Sequence, residues 1–129
     1  MHLTAAQAIL FDMTYLIENI ARHIADGSLS ASDHIETCLA AIDDKNGQGQ
    51  NTFIETYHDR ARAEADAVDT ARKNGWILPP FAGVSLSIKD LFDVAGEVTK
   101  AGSILLADSP PANADATIIA RLRQAGFIL

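Results

Sequence analysis

The run "GVSLSIKD", residues 83 to 90, constrains this chain more than any other stretch. Val84, Leu86 and Ile88 alternate with Ser85, Ser87 and Lys89, the period of a strand with one apolar face. A loop-rich stretch from Asp90 to Pro111 follows, broken by Gly96, Gly102, Pro110 and Pro111. Asp115 is then placed to cap a helix carrying Ile118, Ile119 and Leu122, with Arg121 and Arg123 toward its end and Gly126 just past it. "FIL" opens a second strand at the last residues. Strand, loop, helix and strand form a βαβ-like unit, which needs further strands and a covering layer to bury both faces of its sheet. The expectation is an α/β fold that is incomplete within these residues, either a fragment or a sheet finished by another chain.

The first half reads as helical. Ile17, Ile20, Ala21 and Ile24 make one stripe at helical spacing, and Gly27 can end that helix. Ser30 to Asp33 reads S-x-x-D, close to a capping box, and opens a helix with an inward stripe of Ile35, Cys38, Leu39 and Ile42. "DDKNGQGQN" breaks it and predicts a loop. Phe53 and Ile54 suit a short extended piece or a helix lead-in. From about Tyr57, alanine and alternating charge predict a long, largely exposed helix with Ala61, Ala65, Val68 and Arg72 along one face. Lys73 and Gly75 close it, and "WILPPFAG" changes the character of the chain.

With 129 residues, 48% apolar and 21% charged, the balance is globular rather than disordered. The net charge of −7 with no basic cluster argues against direct binding of nucleic acid. Cys38 is the single cysteine, so no internal disulfide forms, which suits a reducing compartment. The N-terminus lacks the basic region of a secretory signal, and no uncharged apolar run approaches the roughly 20 residues that span a bilayer. A soluble, cytoplasmic protein without a membrane partner is expected.

Several residue groups invite functional readings. His34 and Cys38 lie four apart, as metal ligands can. Only two ligands are visible, so the expectation is a buried structural cysteine beside a surface or boundary histidine. His2, His23 and His58 stand isolated. Gly96 and Gly102 do not make a dinucleotide loop. Asp90, Asp93 and Glu97 share no fixed face and read as solvated loop acids. Gly102 with Ser103 reads as a tight turn. Lys89 by itself reads as a solvated lysine at a strand end, since lysines are mostly exposed. To act as a base a lysine must be neutral, and a free one has a pKa of about 10.4.

The motifs in order change that reading. "PFAGVSLSIKD" is followed by "VAGEVTKAGS", from Val94 to Ser103, and by "DATIIARLRQAGF", from Asp115 to Phe127. Together they resemble the N-terminal part of the amidase signature family, whose members are Ser–cisSer–Lys amidases. The resemblance implies a helical N-terminal segment over 1–75 and the start of an amidase signature α/β/α core over 76–129, both within one domain of a full-length protein. It implies that Lys89 is the triad lysine, acting through a bridging serine on a nucleophilic serine to split an amide C–N bond. It implies no cofactor and no metal. The implied partners are a small-molecule amide substrate and the missing C-terminal segment of the same protein, with a homo-oligomer left open.

The chain departs from the pattern with Ser85 where proline is usual and Lys100 where Thr or Ser is common. No Gly/Ser-rich segment for the two serines lies within the 129 residues, and Ser85, Ser87 and Ser103 do not match them. Three readings stand: the N-terminal part of an amide hydrolase, part of the amide-splitting subunit of a glutamine-dependent tRNA amidotransferase, or a truncated, inert module. The chain alone is expected to be inactive.

Overall fold

The computed structural model describes residues 16–129. Helix α1, Ile17–Asp26, buries Ala21 and Ile24 and ends at Gly27, which takes a left-handed φ of 82°. Ser30 caps α2, Ala31–Asp43, by accepting the Asp33 N–H at 3.0 Å. A four-residue helix, α3, Gly49–Thr52, begins inside the segment expected to be loop. Four residues are too few to show a period. Gly49 is buried against the Ile42 backbone, where no side chain fits. Helix α4, His58–Lys73, packs along α2. Ala61 and Ala65 are both buried there, and their small side chains let the two helices approach. As expected, α4 is otherwise largely exposed, but it also buries Asp69. Ala21, Ile24, Ala31, Ile35, Leu39, Ala61, Ala65, Val84 and Ile128 form one core.

The strand–helix–strand expectation is met in part. Helix α5 is Thr117–Gln124 and buries Ile119. Among the described residues no strand forms. The 84–88 run instead meets the last residues in one parallel bridge, Ser85 with Ile128. The Ile128 N–H donates to Val84 O at 2.9 Å and the Leu86 N–H to Ile128 O at 2.8 Å. Gly126, at φ 100°, brings the chain against Ala82, and Phe127 stacks on Phe81 with centroids 4.9 Å apart.

Asp115 does not cap α5. The N-cap is Ala116, which makes no side-chain cap bond. The Asp115 carboxylate instead accepts the Ala95 N–H at 2.8 Å and pairs with Arg123 Nε at 2.9 Å, clamping the loop to the helix. No helix among the described residues is long and apolar enough to cross a membrane.

Candidate active site

The bridge between Ser85 and Ile128 fixes the start of the segment that carries Lys89. Beyond Ile88 the chain turns at once: the Leu91 N–H donates to Lys89 O at 2.6 Å and the Phe92 N–H to the same oxygen at 3.3 Å. Lys89 is exposed on the wall of an open cleft of about 1070 Å³. The 97–102 loop, the C-terminal half of α2 and residues 52–57 supply the other walls. Ser87 is exposed beside Lys89 on the cleft. Ser85 is not on a solvated face. Its hydroxyl lies 3.1 Å from His34 Nε2 and 3.3 Å from Cys38 Sγ, docking the segment on α2.

That cluster reverses one expectation. His34 is the buried residue and Cys38 the half-buried one, lining the cleft. The turn of α2 that faces Ser85 carries His34, and burial pushes the imidazole below the ordinary 6.5. The neutral ring accepts the Ser85 N–H at 3.4 Å. Cys38 Sγ is 4.0 Å from His34 Nε2, and among the described residues no three metal-ligating side chains gather. His23 and His58 are not isolated either: His23 Nδ1 lies 2.7 Å from Ser28 Oγ, and His58 Nε2 lies 2.9 Å from Asp43 Oδ2. His2 lies outside the described residues.

The loop acids hold the loop together, Asp90 and Glu97 half-buried and Asp93 exposed as expected. Asp90 Oδ1 accepts the Lys100 N–H at 2.9 Å. Asp93 Oδ1 accepts the Thr99 hydroxyl at 2.6 Å, and the Asp93 carbonyl takes the Ala116 N–H. Glu97 lies 3.8 Å from Arg60, whose guanidinium rests 3.9 Å over the Tyr57 ring. These ties hold the 90–102 segment around the cleft. The sequence pairs Asp90 with Lys100 and Asp93 with Thr99 only through a folded loop, so no local period announces them. Gly102 and Ser103 do form a turn, closed by the Ser103 N–H on Lys100 O at 2.8 Å.

A family model described as Amidase matches residues 33–129. AtzE of Pseudomonas sp. (strain ADP), described as a 1-carboxybiuret hydrolase subunit, is 46% identical over 110 residues, covering 85% of this chain and 24% of that protein. A glutamyl-tRNA(Gln) amidotransferase subunit of Synechococcus sp. (strain WH7803) is 38% identical over 108 residues, 84% of this chain and 22% of its own length. A solved structure described as "An unexpected vestigial protein complex reveals the evolutionary origins of an s-triazine catabolic enzyme" superposes with a TM-score of 0.79. It is 45% identical and covers 86% of this chain and 24% of its own. The chain thus spans about a quarter of the length of the relatives it matches.

Proposed function

From its membership of the amidase family, to which this chain belongs, we propose that it is the N-terminal portion of an enzyme that hydrolyses amide C–N bonds, with Lys89 as the triad lysine. The observation that supports this reading is that Lys89 lies on a cleft that the loop of the second motif also lines. Lys89 takes a proton, through a bridging serine, from a nucleophilic serine. The serine oxygen bonds to the amide carbon, the C–N bond breaks, and the proton passes to the departing nitrogen. Water then cleaves the ester and frees the acid. Both serines belong to polypeptide beyond these 129 residues, within the remaining three quarters that the relatives possess. That polypeptide would supply the strands of the α/β/α core expected of the family.

The test is ammonia release by the full-length protein carrying this chain, with 1-carboxybiuret and L-glutamine among the amides offered. Lys89→Ala is expected to lower kcat by at least about 10³-fold. Unchanged turnover in that variant would sink the assignment.

A second reading is favoured by the amidotransferase relatives: an amide-splitting subunit that passes ammonia to a partner. It requires glutamine as the productive substrate and ammonia transfer to a charged tRNA held by the partner protein. The single cysteine fits a cytoplasmic setting for either enzyme.

A further inference from the structure

We propose that Asp90 is a positioning residue for Lys89, acting by its grip on a strained turn that lines the same cleft. The inference rests on the catalytic reading of Lys89 given above. Three observations converge beside that lysine. Asp90 Oδ1 accepts the Lys100 N–H at 2.9 Å, tying the Lys89 segment to the 97–102 loop on the same cleft. Lys100 begins the turn closed by Ser103, and both central residues are left-handed: Ala101 at φ 52° and Gly102 at φ 68°. That is the geometry of a type I′ turn, which favours Asn or Gly where this chain has alanine. Ala101 is the one non-glycine residue with positive φ among the described residues. A side chain held there persists only where its surroundings over-determine it.

The third observation is Asp90 Oδ2, which is buried with no hydrogen-bond partner among the described residues. A desolvated carboxylate oxygen opposes folding. Strain at Ala101 and desolvation at Asp90 meet at one junction, next in the chain to Lys89. A base displaced by about 1 Å loses on the order of 10² in rate.

The test uses the full-length protein, with kcat and KM measured per folded molecule. D90A is expected to lower kcat about 100-fold while KM stays within about threefold. D90N keeps one oxygen for the Lys100 N–H and is expected to remain within about threefold of the parent in kcat. D90A/A101G is expected to recover at least about tenfold of the loss, because glycine holds the left-handed turn without the carboxylate. A purely structural Asp90 lowers the melting temperature of D90A and leaves kcat per folded molecule intact, which overturns the proposal. So does a D90N as impaired as D90A, or a double variant with no recovery. The K89A control separates the two levels. If K89A keeps full turnover, the catalytic reading itself fails. If K89A is dead and D90A is as fast as the parent, the positioning role alone fails.

Discussion

The buried charge of the helical half is Asp69, 6% exposed, and it serves a helix other than its own. Its carboxylate accepts the Ala31 N–H at 3.0 Å, the Ser32 N–H at 3.1 Å and the Ser32 hydroxyl at 3.0 Å, so α4 caps the first turn of α2. Burial pushes the Asp69 carboxyl up, but these hydrogen bonds outweigh it and hold the group below the ordinary 3.8. The folded state thus favours the carboxylate. Its stabilisation is complete above pH 3.8 and is lost as pH falls through the lowered value. Asp69→Ala strands the buried Ala31 N–H and is expected to cost about 1–3 kcal/mol, read from the urea midpoint at pH 7. His34 works with the same sign. Its folded pKa lies below 6.5, so stability is present above pH 6.5 and falls as pH drops beneath it. Denaturant midpoints at pH 7.5 and pH 5 are expected to diverge in the parent and to converge in His34→Gln. Neither residue was legible in the sequence. Asp69 is one acid among many in an alternating run, and its partner Ala31 lies 38 residues away. The Ser85 that buries His34 is 51 residues away.

Elements of eight residues or more were legible, because periodicity and caps act within a few residues. Gly27 ends α1 and Ser30 starts α2 as local rules require. α3 was not legible, since it depends on packing of Gly49 against Ile42 rather than on a pattern. The alternation at 84–88 marked a segment that pairs, but its partner decides how far the ladder runs. That pairing depends on Gly126. A Cβ there would lie 2.7 Å from the Ala82 nitrogen, and φ is 100°. Gly126→Ala is therefore expected to destabilise the chain by at least about 2 kcal/mol, from left-handed strain and displacement of the 81–83 turn together. Thermal melting reads the loss. Hydrogen exchange at the Leu86 and Ile128 amides is expected to quicken more than exchange within α2, because those amides make the bridge.

At the scale of the whole molecule, the family was legible because three motifs recur in order, while the substrate was not. The cleft walls within these residues mix aliphatic and aromatic side chains with hydroxyls, carboxylates and two lysines, Lys89 and Lys100, which fixes no substrate shape. The described residues also leave large apolar side chains open to solvent. Ile104 and Leu105 are each 92% exposed and Ile77 is fully exposed, with Trp76, Leu91 and Phe92 also open to solvent. Apolar exposure on this scale marks a surface that something covers. If the polypeptide beyond residue 129 covers it and also brings the two serines, cover and activity must arrive together. The purified 129-residue chain is then expected to bind a hydrophobic dye such as ANS strongly and to release no ammonia from 1-carboxybiuret or glutamine. The full-length protein is expected to bind little dye and to hydrolyse an amide. Hydrolysis by the short chain would show that the serines lie within it, and strong dye binding by an active full-length protein would show that these side chains face a partner instead.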